Sequence, residues 1–163
     1  MKYFLFLLGI SLVIFNFVCC TNRKMSAYQA MLVRIPDSIN VDTSKNLSFL
    51  IYSPLTCLSC NSILSSLIEN TTYSKATGGN TFIVFPSIRP IELADYQKNL
   101  SDYGHVRLNY INDKTLCDFL NAKRTNPKDT KPVLIAVKKS NDQYVCIGLK
   151  EANLLDSVEK HFK

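Results

Sequence analysis

Three short runs limit what this chain can fold into. Leu-Ser-Phe-Leu-Ile-Tyr at 47–52, Phe-Ile-Val-Phe at 82–85 and Val-Leu-Ile-Ala-Val at 133–137 are almost uniformly apolar and rich in aromatic and β-branched residues. A strand with one wet face alternates apolar and polar residues, whereas a strand covered on both faces does not. The three runs therefore read as neighbouring central strands of one sheet with helices above and below it. Breakers close the first two, Ser53-Pro54 and Pro86. A length of 163 residues, 47% of them hydrophobic and 20% charged, suits one such domain rather than two.

The segments between these runs carry helical spacing. Cys60, Ile63, Leu64, Leu67 and Ile68 fall on one stripe, which predicts an amphipathic helix over about 57–69 with Thr56 as its N-cap. Thr77 to Asn80 form a Gly-rich turn. Pro90 opens a second helix whose Leu93, Tyr96, Leu100 and Tyr103 share a face, and Gly104 ends it. Val106 to Ile111 alternates as a strand, and Asp113 caps a short helix bearing Leu116, Phe119 and Leu120. The third apolar run pairs with 144–149 across an Asn141-Asp142 turn as a hairpin, and Leu154, Leu155, Val158 and Phe162 mark a closing helix. Before all of these, Met31-Leu32-Val33 with Ile35, stopped by Pro36, reads as a short edge strand. The fold class is α/β, a three-layer sandwich with a central mixed sheet.

The first twenty residues are of a different kind. Lys2 precedes an apolar stretch from Tyr3 to Ile10, which continues to Cys20 with only Ser11 and Asn16 interrupting it. A short basic head and an apolar middle make a secretory signal. Three readings stay open: lipidation at Cys20 after cleavage, an uncleaved helical anchor just long enough to cross a bilayer, and simple cleavage and release. The favoured division is a lipoprotein-type signal over 1–20, a tether over 21–29 and a folded domain over 30–163. All three place the domain outside the cytoplasm, and the favoured one anchors it to the membrane in the cell envelope. The net charge of +6 is spread along the chain, as on a solvated surface, and nucleic acid is not an expected partner there.

Outside the cytoplasm a Cys-x-x-Cys pair such as Cys57 and Cys60 is either a structural bridge or a site of thiol exchange. Position favours exchange. A cysteine in the first turn of a helix faces unpaired backbone N–H groups and the positive end of the helix dipole, and both lower its pKa. Cys57 is then the nucleophile, and Cys60, on the apolar stripe, is the less exposed resolving thiol. A closed metal site needs two further ligands, and the only histidines, His105 and His161, form no motif with the pair. Neither a metal nor another cofactor is expected. Cys117 and Cys146 read as small buried hydrophobes, with a second disulfide between them left open.

The order strand, Cys-x-x-Cys at a helix start, strand, helix, strand, helix, hairpin headed by Pro132, helix resembles the thioredoxin superfamily. It is similar above all to the membrane-tethered extracytoplasmic thiol-disulfide oxidoreductases, which carry an extra strand–helix unit between the cysteines and the proline. The likeness covers about 30–162. It implies a thioredoxin-like sandwich, catalysis by Cys57 and Cys60, and a cis-proline at Pro132 that leaves the backbone of Lys131 free to pair with substrate. The implied partners are exported proteins with disulfides and an upstream membrane or periplasmic reductant. The chain departs from the family pattern at Thr56, where tryptophan is common, at Leu58-Ser59 between the cysteines, and in lacking a carboxylate within 48–52. A redox-inactive interaction module and a copper-handling protein are the rival readings.

Overall fold

The computed structural model describes residues 25–51, 66–67, 69–101, 108–124, 126, 133–148 and 154–162. The three apolar runs become strands β1 (Leu47–Ile51), β2 (Thr81–Phe85) and β4 (Val133–Lys138). With β3 (Leu108–Asn112) and β5 (Gln143–Gly148) they form a five-stranded sheet in the order β3-β2-β1-β4-β5. The run-derived strands are the three central ones, as their composition requires. Every residue of β1 and β2 is buried, and so is all of β4 except Lys138, whereas β3 and β5 are partly exposed.

β1, β2 and β3 run parallel, and β4 lies antiparallel to β1 and to β5. The helices whose bounds fall within the described residues are α1 (Ala27–Leu32), α2 (Thr71–Thr77), α3 (Pro90–Ser101), α4 (Lys114–Asn121) and α5 (Leu154–Phe162). A parallel β1–β2 unit joined through helix, followed by an antiparallel hairpin and a last helix, is the thioredoxin-like arrangement. β3 and α4 extend this arrangement at the β2 edge of the sheet.

Because side chains alternate across a strand, the sheet has two cores. On one face Leu50, Ile83 and Leu134 pack with Tyr73 of α2 and with Val158 and Phe162 of α5. On the other, Phe49, Phe82 and Ile135 pack with Met31 of α1 and with Leu116 and Leu120 of α4. Phe49 and Phe82 are register partners whose rings stack at 5.0 Å.

One local expectation fails, and one helix arises where none was expected, each for an identifiable reason. The segment around Met31 is helix α1, not an edge strand. Its apolar triplet is misleading, because Val33 is 67% exposed while Tyr28, Met31 and Ile35 are buried at helical spacing. Ser26 starts the helix by accepting from the Gln29 amide at 3.1 Å, so packing begins at Tyr28. Helix α2 is the second surprise, since Thr-Thr-Tyr-Ser-Lys-Ala-Thr has weak helical propensity. It is held by its ends and by one side chain. Asn70 caps it on the Tyr73 amide, Gly78 closes it at φ 55°, and Tyr73 is fully buried against the sheet. The left-handed φ at Gly78 favours glycine, and a Cβ there would also displace the Lys45 side chain, whose methylenes lie as near as 2.7 Å.

Asp142 ties α1 to the sheet. It sits at φ 54° in the β4–β5 turn, a conformation aspartate tolerates better than most residues. Its carboxylate accepts from the Ala27 amide at 2.9 Å and the Tyr28 amide at 2.8 Å. These bonds, the Tyr28 one first, lower its pKa. A carboxylate whose folded pKa is lowered contributes stability that is complete above the ordinary carboxylate range and is lost as pH falls through the lowered value. Asp142→Asn keeps the turn and removes the charge. Thermal melts should show it less stable than the parent at neutral pH, with the gap closing as pH falls below the ordinary carboxylate range. A gap independent of pH would contradict this role.

Candidate redox site

Cys57, Cys60, Lys131, Pro132 and Cys20 all lie outside the described residues, as does most of the helix expected over 57–69. Of that helix, Ser66, Leu67 and Glu69 are described and are helical, and Leu67 is fully buried in the core that contains Leu50 and Tyr73. What the structure does define is the frame on either side of the cysteine segment and the proline. β1 ends at Ile51, six positions before Cys57, and β4 begins at Val133, the residue after Pro132. Ile51 and Val133 are register partners in the antiparallel pair, and Val133 also faces Gly148 of β5. The two chain segments that carry the expected chemistry therefore leave and enter the sheet side by side. That end is also the carboxyl end of the parallel strands, where ligands and reactive groups of open α/β sheets gather.

The neighbouring β2–α3 loop is pinned at the same end. Asn112, the last residue of β3, accepts from the Ile88 amide at 3.1 Å and donates to the Ile88 carbonyl at 2.8 Å. The Asp113 amide donates to the Phe85 carbonyl at 3.1 Å, and the Asp113 carboxylate caps α4 on the Leu116 amide, as its sequence position predicts. Ile88 is thereby held in the core under the loop. On the outside, Arg89 and Glu92 form an exposed ion pair that raises the arginine pKa and lowers that of the glutamate, in both cases chiefly through their side-chain hydrogen bond.

The opposite end of β1 holds a group of hydroxyls that the sequence did not disclose. Ser48 and Thr81 are register partners on β1 and β2, and the Tyr73 hydroxyl bridges them at 2.7 Å and 3.1 Å. All three residues are fully buried, and burial pushes the tyrosine pKa up to about 12. They stay neutral and satisfy one another, so they fix α2 on the sheet rather than exchange protons. A lone serine in an apolar run was the available signal. The polar position inside β1 is this serine.

Cys117 and Cys146 are both thiols and do not bridge each other. Cys117 is 1% exposed, accepts a long contact from Asn121 Nδ2 at 3.5 Å, and has its pKa raised by burial and then by the Asp118 charge. Such a thiol is a poor nucleophile. Cys146, half-buried on β5, donates to the Lys123 carbonyl at 3.0 Å. Among the described residues, no group of three or more His, Cys, Asp or Glu is placed to hold a metal ion, and no helix is long and apolar enough to cross a membrane.

No family model and no curated protein matches the chain. Among solved structures, it is similar to a thioredoxin-like protein from Bacteroides caccae, with 18% identity and a TM-score of 0.43 over 77% of this chain. The match spans 41% of the length of that protein.

Proposed function

We propose that the chain is an extracytoplasmic thiol-disulfide oxidoreductase that reduces disulfides of exported proteins through Cys57 and Cys60. The observation that carries this reading is the topology. A Cys-x-x-Cys segment follows directly on a central strand of a thioredoxin-like sheet, and the strand paired with that one at the same end begins immediately after Pro132.

In this reading the Cys57 thiolate attacks one sulfur of a substrate disulfide and expels the other as a thiolate, leaving a mixed disulfide. Cys60 then attacks the Cys57 sulfur, releases the substrate as its second thiol and closes the Cys57–Cys60 disulfide. Two electrons pass to the substrate, and a membrane or periplasmic dithiol reductant restores the pair. Lys131 and Pro132 present backbone to the substrate chain. With the apolar signal removed, a lipid on Cys20 holds the domain to the membrane. Incubating the Cys60→Ser variant with an envelope extract should trap exported proteins as mixed disulfides on Cys57 that a reductant releases. Adducts spread over Cys117 and Cys146, or none at all, would contradict the assignment.

A further inference from the structure

We propose that the face built around α1 docks on the anionic headgroups of the membrane that carries the anchor, holding the domain in one orientation on the bilayer. This rests on the anchored, extracytoplasmic reading above but not on the thiol chemistry. The observations concern charge, apolar exposure and reach. The Arg34 guanidinium lies 4.0 Å over the Phe119 ring, and Lys123 Nζ lies 4.9 Å from the same ring and 5.2 Å from that of Tyr144. Both cations belong to exposed residues, and among the described residues neither has an ion-pair partner. Aromatic rings thus hold two charges outward without neutralising them.

The described residues include three large exposed hydrophobics, and two of them flank α1: Met25 at 57% and Val33 at 67%. Basic groups beside exposed apolar side chains match the two parts of a lipid interface, phosphate outside and acyl chain within. The tether reinforces the match. Between Cys20 and Ser26 an extended chain reaches at most about 20 Å, so α1 is the element kept nearest the bilayer. Asp142 then transmits this position to the sheet by clamping α1 to the β4–β5 turn.

The absence of tryptophan gives a clean test. Val33→Trp in the full chain places a single indole reporter on the proposed face, and Ile91→Trp, at a 69% exposed position on α3, places one away from it. Each variant is reconstituted in vesicles of brominated phosphatidylcholine, with or without brominated phosphatidylglycerol, and flotation is recorded. Two basic side chains at an anionic surface favour the docked state by about thirty-fold. The Val33→Trp fluorescence should be strongly quenched only with phosphatidylglycerol, and the Ile91→Trp fluorescence with neither lipid. Adding Arg34→Glu and Lys123→Glu to the first variant, or raising the salt, should abolish its quenching. Flotation without selective quenching of the Val33→Trp reporter overturns docking and leaves the anchor standing. Failure to float with either lipid overturns both.

Discussion

Cys57→Ser should reduce insulin disulfides no faster than buffer with the same reductant, while a Cys117→Ala variant should turn over as the parent does. The difference follows from where each thiol's proton is held. Attack needs a thiolate, and the reaction supplies no other nucleophile once Cys57 is gone. Cys117 cannot substitute, because burial in the core with Leu116 and Leu120 raises its pKa and the Asp118 charge raises it further. Cys60→Ser separates attack from release: a first, stoichiometric equivalent of substrate thiol should appear and then stop. Loss of Cys117 should register in stability alone. If Cys57→Ser retained turnover, the nucleophile would have to be sought among the other cysteines.

Phe49→Ala should destabilise the domain by about 3–5 kcal/mol. Phe49 is fully buried in the middle of the central strand β1, stacked on Phe82 across the parallel pair and opposite Ile135 across the antiparallel one. Its removal leaves a cavity between Phe82 and Ile135 of the neighbouring strands and the helices α1 and α4 packed over them, which cannot collapse without shifting those elements. Domains of this size are stable by about 5–15 kcal/mol, so the variant should unfold at a much lower urea midpoint. Val33→Ala, at a 67% exposed site, should change stability by no more than about 0.5 kcal/mol. Similar midpoints for the two variants would contradict the placement of β1 at the centre of the sheet.

The contrast between Phe49 and Val33 also indicates how far the sequence could be read. Uniform apolarity identified β1, β2 and β4 because a strand buried on both faces has no polar positions to alternate with. The same criterion misread Met31-Leu32-Val33, where a local apolar triplet hid a helical period that starts at Tyr28. Helix α2 was invisible for a related reason. Its stability comes from the local caps Asn70 and Gly78 and from the burial of Tyr73, the last a tertiary fact rather than a propensity. Ser48 looked like a lapse in an apolar strand and is instead a hydrogen-bond partner of Tyr73. At the candidate site, the Cys-x-x-Cys spacing of Cys57 and Cys60 is a feature of the residues themselves, whereas Lys131 and Pro132 were reached only through a family resemblance, and all four lie outside the described residues. The pairing of Ile51 with Val133, which sets the strand before the cysteines against the strand after the proline, needed the fold, because no local pattern encodes a register between such distant segments.

The reduction potential of the Cys57–Cys60 pair distinguishes an exchange site from a structural clip. The protein is equilibrated in dithiol buffers of graded potential, and the pair is read by alkylation and mass of the peptide carrying both cysteines. An exchange site should titrate well above about −300 mV, with Cys57 alkylating first in the reduced form at a pH below the usual thiol pKa of about 8.5. A midpoint below about −300 mV, with both thiols alkylating slowly and at equal rates, would make the pair a structural bridge.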